Sequence, residues 1–303
     1  MALKHIKNKI KSTGRTSKVT KAMEAVSAVK MRKSQERALS GRPYAEAAFR
    51  VLQNIARSVD VQHHTFMKPD EGSHECVIVI TSDKGLAGSL NSAVLKEATN
   101  ILKKNPKDSV ELICFGKKAY EHFLRRGYTI PRHYLNLTDD VDITDVEEVV
   151  DFVATHFKEG KYKTVRIVFQ HFTSTFEQNA IVRKVLPIDK DEVRLMIDDI
   201  VPKQGKFAEV VKHEPMIIYT AEQGRGLLFD SVFIMLVRIM VYHALLESKA
   251  SEHSARMVAM KNATDKAKEV MKALTLLYNK ERQSVITAEV SEITGGIEAL
   301  KNM

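Results

Sequence analysis

The residues best suited to chemistry lie in four places along the 303-residue chain. The first is the segment Ser82-Asp-Lys-Gly-Leu-Ala-Gly-Ser89, which follows an apolar run and leads into a helical pattern. Turns of this kind often bind phosphate at a helix N-terminus. This one has neither GxGxxG nor GxxxxGK[ST], and two glycines three residues apart also suit an ordinary tight turn. The second place holds His63, His64, His74 and Cys76, whose spacings match no standard zinc pattern, so they read as surface histidines in a polar linker. The third is the acidic run Asp139, Asp140, Asp142, Asp145, Glu147 and Glu148. It lacks the glycine and terminal glutamate of a calcium loop, and reads as a solvated loop before a negatively charged helix start. The fourth is Asn279, Arg282, Gln283 and Thr287, a polar cluster over two helical turns. It is either a solvated face or a set of hydrogen-bonding groups for a protein wrapped around the helix. No GxSxG, HExxH or Cys–His pair at a recognisable spacing occurs, and no catalytic, cofactor or metal-ligating residue is assigned.

The elements that must position these residues follow from periodicity. Leu3, Ile6 and Ile10 step by three and four, and the same step recurs at Val19, Ala22, Val26 and Val29. Ser12-Thr13-Gly14 breaks the register between the two runs. Pro43 reads as a bend, with the N-terminal helix continuing to Arg57. Residues 60–75 read as a linker. Cys76–Ile80, Val110–Phe115 and Lys163–Phe169 read as buried strands, alternating with helices from Asn91, over 117–126, and through Phe157. Thr144 and Glu147 fit a capping box for the last of these. The alternation predicts a small Rossmann-like α/β domain with a parallel sheet over 75–200.

The C-terminal segment carries Met260, Ala263, Ala267, Val270, Leu274 and Leu277, then Ile286, Val290, Ile293, Ile297 and Leu300. Both runs have the seven-residue repeat of a coiled-coil seam, with a phase slip between them. A helix from Leu228 to Lys301 is about 110 Å long, which no single compact domain spans. Such a helix needs a partner for its stripe, and the N-terminal helix is the only other long striped element. The expected organisation is therefore 1–57 and 225–303 as the two strands of a long antiparallel coiled coil, with the α/β domain between them.

Composition narrows the partners. Hydrophobic residues make up 44% and charged residues 28%, which excludes disordered and collagenous chains. The overall charge is +9. Residues 1–57 hold eight Lys and six Arg against Glu24, Glu36 and Glu46, so the basic excess sits in the first helix. A basic arm calls for an acidic partner: nucleic acid, anionic lipid or an acidic protein loop. The two cysteines, Cys76 and Cys114, read as buried free thiols of a reducing compartment. The apolar window Ser231–Leu246 contains Arg238 and is too short to span a bilayer, so it reads as a buried helix. Lysines through the first residues break any secretory h-region, and a Lys-rich rather than Arg- and Ser-rich start fits a mitochondrial transit peptide poorly.

Three stretches together resemble the gamma subunit of F-type ATP synthases: Thr20–Lys33, Ser82–Asn91, and Ser251–Met260 continued through Asn279–Thr287 to Glu298-Ala-Leu300. The resemblance spans nearly the whole chain. It implies a non-catalytic rotor, with the terminal helices as an axle inside a ring of alpha and beta subunits. The middle domain would then meet the epsilon subunit and the membrane c-ring, with the delta subunit in the same complex. By match to the family's motifs, Arg282, Gln283 and Thr287 would contact a beta-subunit loop. Met23 would lie near the acidic lever loop of beta, and Lys84 and Ala87 near the base of the ring. The basic residues Lys30, Arg32 and Lys33 would suit those acidic loops. Lys266 stands where the family usually has Asn, prolines expected over 223–238 are absent, and no cysteine pair marks a redox switch of the chloroplast kind. The implied setting is the cytoplasmic face of a bacterial plasma membrane. The alternative reading is a basic coiled-coil protein that binds nucleic acid, which gives no role to the Arg282–Thr287 cluster.

Overall fold

A computed structural model describes residues 2–40, 47, 64–68, 72–189 and 225–301. The expected bend at Pro43, the helix extension to Arg57 and His63 lie outside the described residues. The elements are α1 (Ala2–Ser40), β1 (His74–Ile80), α2 (Leu90–Leu102), β2 (Val110–Phe115) and α3 (Lys117–Leu124). They continue with β3 (Thr129–Tyr134), α4 (Glu147–Lys158), β4 (Tyr162–Phe172), β5 (Gln178–Leu186) and α5 (Arg225–Lys301). The chain divides into two compact units, residues 1–27 with 257–303, and residues 28–256.

The first unit is a pair of antiparallel helices. Thr20 Oγ1 and Thr264 Oγ1 share a 2.6 Å hydrogen bond, and a Cβ on Gly14 would meet Met271 Sδ at 3.4 Å. As α1 advances from 14 to 20, its partner position on α5 retreats from 271 to 264. Inward positions on α5 are Met260, Thr264, Ala267, Met271, Leu274, Tyr278 and Glu281, alternating steps of four and three. On α1 they are Leu3, Ile6, Ile10, Thr13–Gly14, Ser17, Thr20 and Ser27.

The heptad is therefore present but keeps only part of the expected stripe: Leu3, Ile6, Ile10, Met260, Ala267 and Leu274 face inward, whereas Val19, Val26, Val29, Val270 and Leu277 do not. Val19 and Val26 are 58% and 55% exposed, and Val270 and Leu277 are 39% and 44% exposed. In the middle of the pair, Gly14, Ser17, Thr20, Thr264 and Ala267 fill the seam instead. The hydroxyls that this buries are satisfied locally: Thr264 donates to the Met260 carbonyl, and Thr20 reaches the Ser17 carbonyl. The break at Ser12–Gly14 does not interrupt the helix, since α1 is continuous through it. The second apolar run is also outward, with Ile286, Val290, Ile293 and Ile297 between 48% and 63% exposed. The register puts Ala2 level with about Gln283, so this run extends past the start of α1.

The second unit is a five-stranded sheet in the order β3-β2-β1-β4-β5. Strands β1 to β4 are parallel, and β5 runs antiparallel to β4. The sheet is thus mixed rather than parallel. Successive residues of β1 face opposite layers. Val77 and Val79 join Leu112, Val94, Ala98 and Phe123 under α2 and α3. Cys76, Ile78 and Ile80 join Ile113, Ile167, Val153 and Phe157 under α4 and the 233–246 stretch of α5. Phe233, Leu236, Val237, Met240, Val241 and Leu245 of that stretch are buried, as its apolar composition demands. Both faces of β1 are covered, so it reads as a continuous apolar run.

Three local expectations differ from the structure. Within the supposed linker, Phe66 is fully buried and its carbonyl accepts a 2.7 Å bond from the Ile188 amide. The capping box uses Asp142 and Asp145 rather than Thr144 and Glu147, and starts a 3-10 turn (Ile143–Val146) that runs into α4. The acidic run is only partly solvated: Asp139, Asp140, Glu147 and Glu148 have basic partners, although Asp140 and Glu148 stay 70% and 68% exposed, and Asp142 and Asp145 form the capping box.

Candidate functional site

In an open α/β sheet a ligand would bind outside the carboxyl ends of the strands, beside the topological switch between β1 and β4. Here that crevice is filled. Leu245, Ser248, Lys249 and Glu252 of α5 close over Ile80, Thr81, Phe115 and Gly116, leaving a cavity of about 10 Å³. The polar groups of the turn are spent on the fold. Ser82 Oγ donates to the Lys84 carbonyl, Asn91 Nδ2 donates to Ser82 Oγ, and Asp83 Oδ1 accepts from the Lys117 amide. Thr81 Oγ1 accepts from the Ala119 amide. Gly116 has φ +88°, and a Cβ there would lie 2.1 Å from the Thr81 carbonyl oxygen. Such a crevice has no room for a nucleotide.

The other candidate chemistry dissolves in the same way. Among the described residues no group of three His, Cys, Asp or Glu is placed to hold a metal. His64 pairs with Asp230, and His74 Nδ1 shares a hydrogen bond with Ser73 Oγ. Burial pushes the Cys76 thiol well up, with the Glu111 charge adding to it, and raises Cys114 to about 12. Neither is a thiolate at neutral pH, so neither is a nucleophile.

What the acidic loop does is mechanical. Asp139 accepts from Lys30 Nζ at 2.5 Å and lies 2.9 Å from His253 Nε2. Arg37 bonds Asp140 at 2.6 Å, Lys249 Nζ donates to the Leu137 carbonyl, and Tyr242 reaches the Val141 carbonyl. Residues 137–141 thereby clasp the 30–37 turns of α1 and the 242–253 turns of α5 to the sheet. Burial works to raise the Asp139 carboxyl, but the Lys30 hydrogen bond and the His253 and Lys249 charges outweigh it and hold it below the usual range. Deeper in, Glu247 is 7% exposed between His171 Nδ1 at 2.5 Å and His243 Nδ1 at 2.7 Å. Burial would raise this carboxyl too, yet the two imidazoles hold it at about 2. Sequence patterns did not flag the clasp or the His171–Glu247 contact, because those partners are about 75 to 115 positions apart in the chain, whereas His243 lies one helical turn from Glu247.

The residues singled out from the sequence fall on three separate elements. Lys30, Arg32 and Lys33 lie on one exposed turn of α1; Lys30 is engaged by Asp139, while Arg32 and Lys33 make no side-chain bond among the described residues. In the turn after β1, Lys84 is exposed but Ala87 is buried at 2%. On α5, Arg282, Gln283 and Thr287 are exposed, and Thr287 Oγ1 donates only to the Gln283 carbonyl within the helix. Met23 is half-buried on α1.

Comparison with known proteins covers nearly the whole length of the chain. A family model described as ATP synthase matches residues 2–300. The chain is 35% identical over 305 residues to an ATP synthase gamma chain from Salinibacter ruber, covering 99% of this chain and 98% of that one. It is 36% identical over 300 residues to a gamma chain from Pelotomaculum thermopropionicum, covering 99% of each. Among solved structures, a chain of the central stalk and c-ring of Tetrahymena thermophila mitochondrial ATP synthase aligns with a TM-score of 0.60 at 26% identity. That alignment covers 81% of this chain and 99% of the other. A chain of the Euglena gracilis mitochondrial ATP synthase shares the fold, with a TM-score of 0.64 at 19% identity over 99% of this chain and 94% of the other.

Proposed function

This chain belongs to the ATP synthase gamma-chain family, and from that premise we propose that it turns as the non-catalytic central rotor of the enzyme. The paired helices α1 and α5 act as a shaft inside the ring of alpha and beta subunits. The α/β unit meets the epsilon subunit and the c-ring, and the complex works at the cytoplasmic face of a bacterial plasma membrane. The shaft carries torque from ion flow through the c-ring to the beta subunits, where ATP is made or hydrolysed.

The observation that carries this reading is the partial inversion of the helix pair. The middle of its seam, at Gly14, Ser17, Thr20, Thr264 and Ala267, is small or polar, while Val19, Val26, Val29, Val270, Leu277 and the run from Ile286 to Ile297 are exposed. An isolated coiled coil has no reason to hide serine and threonine and expose valine. A shaft that slides within a sleeve of other subunits does.

Ring contacts are assigned to Met23, Arg32, Lys33, Lys84, Arg282, Gln283 and Thr287. Lys30 already has Asp139 as partner, so the free cations facing beta are Arg32 and Lys33. Exposed pairs contribute at most about 1 kcal/mol each. Weak contacts suit a rotor, since one tight contact would stall it. The test is the Arg32→Ala/Lys33→Ala double variant in the assembled complex. ATP-driven proton pumping per ATP hydrolysed should fall while nucleotide binding by beta stays unchanged. Unchanged coupling would remove the electrostatic role of this turn, and failure of the chain to co-purify with alpha and beta would remove the rotor reading itself.

A further inference from the structure

An open groove of about 470 Å³ lies on the outer layer of the α/β unit, between α2 and the C-terminal end of α3. That volume falls within the range of small-molecule sites. Lys96 and Lys103 line it from α2, and His122 and Arg126 line it from the end of α3. Ser92 and Asn100 complete the α2 wall. Steps of four, four and three put Ser92, Lys96, Asn100 and Lys103 on one face, about 16 Å long. No carboxylate lines the groove. Around it, cations are matched: Lys117 and Arg125 share Glu121, Lys161 meets Glu111, and Arg166 meets Glu75. Lys96, Lys103 and Arg126 have no carboxylate partner among the described residues.

Part of this wall is already held in place. Arg126 Nη1 donates to the His122 carbonyl at 2.9 Å, and the Arg126 carbonyl accepts from Lys107 Nζ at 2.7 Å. The remaining guanidinium nitrogens make no bond among the described residues, and neither do the Ser92 hydroxyl and the Asn100 amide. Burial lowers the His122 imidazole pKa, and the Arg126 charge lowers it further. A ring kept neutral by a neighbouring cation marks a positive potential that nothing offsets. Cations at helix C-termini also complement the helix dipole, which by itself would account for Lys103 and Arg126. It accounts neither for Lys96 in mid-helix nor for the missing carboxylates.

We propose that the groove between α2 and α3 binds an oligophosphate anion, with Lys96, Lys103 and Arg126 on its charges and Ser92 and Asn100 donating to its oxygens. Lys96 and Lys103 are two turns apart, about 10 Å along the axis, a span that suits a chain of phosphates better than a single one. No Phe, Tyr or Trp lines the groove, so it lacks the aromatic anchors of a protein contact. The site stands apart from the rotor reading and holds whether or not the chain turns.

The experiment titrates the full chain with inorganic tripolyphosphate by calorimetry and follows the His122 ring resonances in parallel. Lys96→Ala/Lys103→Ala tests the groove. Lys18→Ala/Lys21→Ala tests the basic helix α1, whose charge attracts any anion. Binding should saturate and move the His122 resonances. Affinity should fall about tenfold in the groove variant and less than about twofold in the α1 variant. The thermal midpoint of the groove variant should stay unchanged, because neither lysine makes a bond among the described residues. Displacement of the probe by ATP, by cardiolipin vesicles or by neither then assigns the phosphates to a nucleotide, a lipid headgroup or an inorganic chain. Absence of saturation, equal losses in the two variants, or unmoved His122 resonances would overturn the site. So would citrate or polyglutamate bound as tightly as tripolyphosphate, which would mark a general attraction for acids.

Discussion

Replacing Glu247 with Gln removes a negative charge from a place that water does not reach. The side chain is 7% exposed, with an imidazole nitrogen within 2.7 Å on each side. A carboxyl that ionises near 4.5 in solvent and at about 2 in the fold contributes about 3 kcal/mol at neutral pH. The sign follows from which state binds the proton first. As pH falls, the unfolded carboxylate is protonated first, so this stabilisation is complete above about 4.5 and drains away toward 2. Glutamine has the same shape and none of the charge. It leaves His171 and His243 facing a neutral amide, and breaking a buried pair from one side costs a similar amount. Urea denaturation of the full chain at pH 7 should show the variant less stable by about 3 kcal/mol, and the gap should shrink steadily between pH 4.5 and 2.5. A gap below about 1 kcal/mol at pH 7, or one that stays constant down to pH 2.5, would refute the charged-cluster account.

Asp139→Asn should loosen the clasp. It weakens the bonds to Lys30 and His253 and costs about 1 kcal/mol, because Asp139 and Lys30 are both partly exposed; amide exchange should rise in 28–40 of α1 and not in β1. Gly116→Ala should be severe, about 3 kcal/mol or more, since the new Cβ would sit 2.1 Å from the Thr81 carbonyl oxygen; a thermal melt within a few degrees of wild type would contradict the close approach. Gly14→Ala should instead be neutral or stabilise by up to about 1 kcal/mol, because its only neighbour is Met271 Sδ at 3.4 Å and alanine favours helix; a lower thermal midpoint would show the seam to be tighter than described.

What was legible in the sequence depended on burial. Strand β1 was readable because both of its faces are covered, which makes Cys76–Ile80 apolar throughout. Strand β3 was not, because it holds Pro131 at a sheet edge and none of its residues is fully buried. Strand β5 was missed for a related reason: Asn179 and Val182 face solvent and Arg183 is buried, so no simple alternation survives. The length of the C-terminal helix and its antiparallel partnership with the N-terminal one followed from periodicity alone. Their phase was only half legible: Leu3, Ile6, Ile10, Met260 and Leu274 line the seam as their spacing suggests, but Val19, Val26, Val270 and Leu277 face outward while Ser17, Thr20 and Thr264 take their places. The acidic run looked solvated because local sequence cannot reveal that Lys30 and His253 arrive from the two ends of the chain.

The most direct measurement is on the rotating complex itself. Thr20→Cys and Thr264→Cys place two thiols where a 2.6 Å hydroxyl contact joins α1 to α5, while the native Cys76 and Cys114 stay buried. Oxidation should link the pair nearly quantitatively, and ATP-driven turning of the linked complex should continue at close to the unlinked rate, because both helices belong to one shaft. No link on oxidation, or a link that halts turning until it is reduced, would mean that the two helices do not move as one body.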